Sequence, residues 1–234
     1  MPEILDTLVN AVKEAYGTRV RSVVLYGSQA SSEATKKHSD HNILIILTEV
    51  QTDDLGALSK SMRPWVKAGN PPPLLFDEPM FMRSADVFPI EFLDMKDKHR
   101  ILYGGDVLAA IKVDVSNLRH ECEYELKGKL LSLRQDVMVS GDNPSKLKSI
   151  LIGSVSGILV LMRHVVRLLG ETPPVKKMDA LKVLANKIAM DSEPFETVMQ
   201  LRDQTTTISN QEILRLMQRY LSALEQVVQA VDKA

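Results

Sequence analysis

Residues 25–47 read LYGSQASSEATKKHSDHNILIIL, and the two ends of this stretch decide the fold. Gly27 and Ser28 follow an apolar, β-branched run, Val20 to Tyr26 (VRSVVLY); Ser39, Asp40, His41 and Asn42 lead into a second, Ile43 to Leu47. Runs of this length and composition predict two strands joined by a polar connection. A strand sends alternate side chains to opposite faces, so Asp40 and Asn42 are expected on one face and His41 on the other. Two oxygen-bearing side chains at the head of a strand can share a hard cation such as Mg²⁺, which takes carboxylate, water and phosphate oxygens. Gly27 lets the backbone come close to a ligand, and Ser28 offers a hydroxyl and an N–H to a phosphate oxygen. The plain alternative is a tight turn between two core strands, with Asp40 and Asn42 as ordinary polar strand starts.

In order and spacing the string resembles the signature of the nucleotidyltransferase superfamily, whose members carry Gly-Ser, a gap of about this size, and Asp-x-Asp at the head of a strand. The resemblance implies a small mixed-sheet α/β domain, an NTP co-substrate, most readily ATP, and Mg²⁺ as cofactor. It also implies a third acid on a neighbouring strand. Val87 to Met95 (VFPIEFLDM) is the place expected for it, with Glu91 as the third metal ligand and Asp94 as its substitute. On a regular strand these two acids would face opposite ways, so only one could serve. LYGGD, residues 102–106, resembles the segment after that strand in small nucleotidyltransferases with helical tails. The chain departs from the pattern at Asn42, where the second acid is expected, at Ser32 and at His41. An amide oxygen can ligate Mg²⁺, but it removes a negative charge from a site that balances dications against a triphosphate. His38 and His41 are poor substitutes, because imidazole suits softer metals.

The 234 residues are 44% hydrophobic and 25% charged, enough for one large core or two modest ones. A formal net charge of −1 argues against a broadly basic nucleic-acid binder. One cysteine, Cys122, excludes an intramolecular disulfide framework and a zinc cluster, and is expected to pack inside a helix. The N-terminal MPEILDTLVNAVKEAYG is acidic and amphipathic rather than a basic start before an apolar core, so a cytoplasmic location is expected.

The pattern changes near residue 112. Before it, short apolar runs (Val20 to Tyr26, Ile43 to Leu47, Leu74 to Phe76, Ile90 to Leu93) alternate with helical stretches at Ile4 to Tyr16 and Leu55 to Ala68. After it, helix punctuation takes over. Ser116 reads as the cap of a long helix from Asn117 to about Val139, which Gly141 stops; Asp142 or Asn143 with Pro144 restarts the chain; Ser192 with Pro194 opens another helix; Ser209 and Glu212 form a capping box. Residues 1–112 therefore read as a nucleotidyltransferase-like α/β domain, and 113–234 as an antiparallel bundle of four or five helices. Ser149 to Met162 is the most apolar segment, flanked by Lys146, Lys148, Arg163 and Arg167, and its uncharged run falls short of a membrane span. It reads as the central bundle helix, with no membrane partner. Any homo-oligomer is expected to form through the helical domain. Glu123 with Lys127 and Glu125 with Lys129 are spaced to pair along the first bundle helix.

Two functions follow. In the first, Asp40, Asn42 and Glu91 hold Mg²⁺, Gly27 and Ser28 hold phosphates, and a nucleoside monophosphate passes from NTP to an unidentified acceptor, at a rate weakened by Asn42. In the second, the domain is catalytically inactive and binds nucleotide or a protein partner.

Overall fold

The computed structural model describes residues 2–30 and 40–234, so Ser32, His38 and Ser39 lie outside the described residues. The chain forms two compact units, Met1–Asp114 and Val115–Ala234.

The first unit runs α1 (Pro2–Tyr16), β1 (Val20–Tyr26), β2 (Asn42–Leu47), α2 (Asp54–Ala57), α3 (Ser59–Lys67), β3 (Leu74–Asp77), α4 (Glu78–Arg83), α5 (Pro89–Asp97) and β4 (His99–Gly104). Its strands form one four-stranded mixed sheet in the order β3-β2-β1-β4. β1 is antiparallel to β2 and β4, and β2 is parallel to β3. Val23, Leu25, Ile43, Ile45 and Leu47 point to one face, against Leu5, Leu8 and Val12 of α1 and Trp65 of α3. Val24, Leu44 and Ile46 point to the other, against Phe81, Phe92, Met95, Leu108 and Ile111. Covering both faces is what makes β1 and β2 continuous apolar runs rather than alternating ones.

The junction between α1 and β1 is pinned by a forked ion pair. Arg19 donates from Nη1 and Nη2 to Asp54 at 2.8 and 2.6 Å, and the Gln51 N–H donates to the same carboxylate at 2.7 Å. The Arg19 guanidinium, followed by the Gln51 N–H, holds the Asp54 carboxyl below the usual carboxylate range.

The expected strand over Val87 to Met95 is instead α5. Pro89 occupies its first turn, where a fixed φ and a missing N–H suit a helix start as well as they suit a strand edge. Phe92 and Met95, three residues apart, meet the core from one side of the helix. The sheet's outer strand beside β1 is β4, whose residues are exposed or half-buried throughout. At its end Gly104 (φ +79°) lies so close to β1 that a Cβ would sit 2.0 Å from the Arg21 carbonyl oxygen.

The second unit contains α6 (Val115–Ser140), α7 (Pro144–Leu168), α8 (Lys177–Ile188), α9 (Glu193–Arg202) and α10 (Asn210–Asp232). Among the described residues, every strand lies in the first unit. α7 is central and packs against α6, α8, α9 and α10. At 25 residues it extends past its uncharged run on both sides and is long and apolar enough to cross a membrane by length and composition; 56% of its most apolar window is buried. Asn143 caps it, accepting the Lys146 N–H at 3.1 Å. Ser209 and Glu212 form the full reciprocal capping box of α10. Ser116 is not a cap, because α6 has already begun at Val115. Glu123 and Lys127 pair at 2.6 Å, and Lys127 also reaches Asp232 at 2.9 Å. Cys122 is fully buried, and burial, with the Glu121 carboxylate second, pushes its thiol up to about 12.

Candidate nucleotide site

Tyr26, Gly27 and Asn42, from the two described ends of the 25–47 stretch, meet at one end of the sheet. Tyr26, the last residue of β1, pairs with Asn42 on β2 and with His99 on β4, so His99, Tyr26 and Asn42 form a row across three strands. Strand alternation places Asn42 on the face of Leu44 and Ile46, where Tyr26 also packs. Beyond Tyr26 the chain turns at Gly27, whose φ of +80° suits a residue without a Cβ. The Gly27 N–H donates to the Lys98 carbonyl at 2.9 Å, and its carbonyl accepts the Ala30 N–H at 3.1 Å across the short 3-10 turn opened by Ser28. A Cβ at Gly27 would lie 3.3 Å from Asn42 Nδ2. The Gly-Ser turn and the Asn42 amide therefore share one corner of the sheet.

Asp40 is exposed, two residues ahead of Asn42. His41 goes to the opposite face, where it lines a cavity of about 300 Å³ with Leu25 and Leu102. Glu91 stands exposed in the first turn of α5 and reaches this region from a helix. Its effect is felt at Tyr26, whose phenol is raised above its ordinary pKa by burial first and by the Glu91 carboxylate second. Asp94 lies one turn further along α5 and is half-buried.

Among the described residues no three His, Cys, Asp or Glu side chains gather into a metal cluster. The residues expected from the sequence to hold a metal are two carboxylates, Asp40 and Glu91, and the Asn42 amide. All three offer oxygen, which suits a hard cation such as Mg²⁺. Asn42 leaves the set one charge short of three acids.

The sequence pattern did not single out Tyr26, Asn70 or the pair of His99 and Asp106. His99 Nδ1 lies 3.1 Å from the Met95 carbonyl oxygen, and its Nε2 lies 3.5 Å from Asp106 Oδ2. Asp106 Oδ1 meanwhile accepts the Leu108 and Ala109 N–H groups at 3.0 and 3.1 Å. Asp106 closes the LYGGD segment, so the one available signal was there, without its partner.

The small mixed sheet with its Gly-Ser turn beside the head of β2, followed by helices, has the fold of a solved adenyltransferase. Among solved structures the chain is similar to spectinomycin adenyltransferase AAD(9) from Enterococcus faecialis, determined with ATP and spectinomycin. The two share 14% identity at a TM-score of 0.57, over 95% of this chain and 99% of that one. No family model matches the chain, and no curated protein matches it. At that identity the likeness is one of fold.

Proposed function

We propose that the protein is a nucleotidyltransferase that moves a nucleoside monophosphate from an NTP, ATP first among them, to a hydroxyl of a small-molecule acceptor. The observation that carries this reading is the approach of the Asn42 amide to Gly27 beside the Ser28 turn, within a fold whose solved example holds ATP and spectinomycin. Asp40, Asn42 and Glu91 would hold Mg²⁺, which when bound offsets charge on the phosphate oxygens. At the Gly27–Ser28 turn, Gly27 would let the triphosphate come close to the backbone and Ser28 would donate its N–H to a phosphate oxygen, keeping the α-phosphorus in line with the acceptor. The acceptor oxygen then bonds to the α-phosphorus, the bond to the β-phosphate bridging oxygen breaks, pyrophosphate leaves, and a site carboxylate takes the hydroxyl proton.

Asn42 favours a second reading, in which nucleotide binds without transfer, because one carboxylate of the expected pair is an amide. Calorimetry with ATP and Mg²⁺, run alongside a transfer assay with spectinomycin and other polyhydroxylated acceptors, separates the two. Binding that is lost in Asp40→Ala is expected under both. Transfer by wild type supports the enzyme, whereas transfer only by Asn42→Asp supports a nucleotide-binding domain that has lost its chemistry. Absence of Mg²⁺-dependent binding at millimolar ATP in both wild type and Asn42→Asp would refute both.

A further inference from the structure

We infer that Asn70 is a positioning residue for the candidate site, acting through His41 on the two residues that flank it, Asp40 and Asn42; this rests on the nucleotide reading above. Asn70 is 7% exposed and lies just beyond α3. Its own N–H and its side-chain Nδ2 both reach the Trp65 carbonyl oxygen, at 3.3 and 3.4 Å. Trp65 is itself anchored, with its indole N–H donating to the Pro71 carbonyl at 2.6 Å. With Nδ2 so committed, Oδ1 faces His41 and takes two contacts from it, the backbone N–H at 2.9 Å and ring Nδ1 at 3.1 Å.

The backbone N–H can only donate, which confirms that the oxygen of the Asn70 amide is the atom facing His41. The same oxygen then requires a proton on His41 Nδ1. Asn70 therefore selects one imidazole tautomer while it fixes the backbone. The β1–β2 pairing begins at Asn42 with Tyr26, so His41 lies outside that ladder. Asn70 gives the His41 N–H the acceptor that the sheet does not. The His41 ring also lies near Trp65, with centroids 6.1 Å apart. One buried amide thus holds the residue whose chain neighbours are two of the three candidate oxygen donors.

The test combines a structural and a functional readout on the full chain. In wild type, ¹⁵N shifts of the His41 ring are expected to show the Nδ1–H tautomer, and its backbone amide should be protected from exchange. An Nε2–H tautomer, or a freely exchanging His41 amide, overturns the inference whether or not any variant folds. Asn70→Ala is expected to release the tautomer and weaken Mg²⁺-dependent ATP binding about tenfold, as loss of buried hydrogen bonds at a positioned site would. Asn70→Asp keeps an acceptor facing His41 but sets an oxygen against the Trp65 carbonyl, so it is expected to keep the proton on Nδ1 and to recover ATP binding in part. Wild type that binds ATP no better than Asn70→Ala overturns positioning alone, provided wild-type binding is measurable. Wild type with no Mg²⁺-dependent ATP binding brings down the nucleotide reading, and this inference with it.

Discussion

At Gly27 a side chain would meet two obstacles together. The left-handed φ of +80° costs a non-glycine residue about 1–2 kcal/mol, and a Cβ would press on the Asn42 amide at 3.3 Å. Gly27→Ala is expected to lose about that much stability by urea denaturation, and to weaken Mg²⁺-dependent ATP binding by more than its stability loss explains. Asp54 sets a different expectation. Its folded pKa lies below its unfolded value, so its contribution is present above about pH 4 and is lost as the pH falls through the lower, folded value. Arg19→Ala should therefore destabilise the first unit at pH 7, and the gap from wild type should narrow toward pH 3. Denaturation followed by Trp65 fluorescence at both pH values checks this. A gap that stays constant with pH would mean that the Arg19 and Asp54 contact contributes nothing through charge.

At the scale of the element, the capping box at the start of α10 is the most direct consequence of sequence. Ser209 accepts the Glu212 N–H at 3.4 Å and Glu212 returns a contact to the Ser209 N–H at 2.6 Å. Ser209→Ala is expected to cost about 1 kcal/mol in thermal or urea unfolding of the helical unit. This cap was legible because both partners lie within one helical turn of sequence. β1 and β2 were legible for another reason: burial on both faces writes itself as an unbroken apolar run. β4 was not, because an edge strand with mostly exposed residues leaves no such run. α5 was misread because IEFL after a proline has the same composition whether it extends or coils, and periodicity cannot separate the two over four residues. Glu91 was thus named from the sequence while its element was not. Asn70 was out of reach altogether: its contact with His41 spans 29 residues, and no local pattern encodes a pairing at that distance.

Over the whole molecule, the two units carry separate cores and separate reporters. The chain has one Trp and one Cys; Trp65 is buried in the first unit and Cys122 in the second. Arg19→Ala is expected to shift the Trp65 fluorescence transition while leaving the reaction rate of Cys122 with a thiol reagent unchanged. A matching acceleration at Cys122 would show that the units open as one. The buried state of Cys122 has a practical side as well. A thiol held up to about 12 and closed to solvent stays silent at neutral pH while the helices remain packed, since only the thiolate reacts. The natural chain is thereby a ready background for site-specific labelling. A cysteine placed at Tyr124, 78% exposed on α6, would take up a fluorophore alone, with no native residue to be removed first.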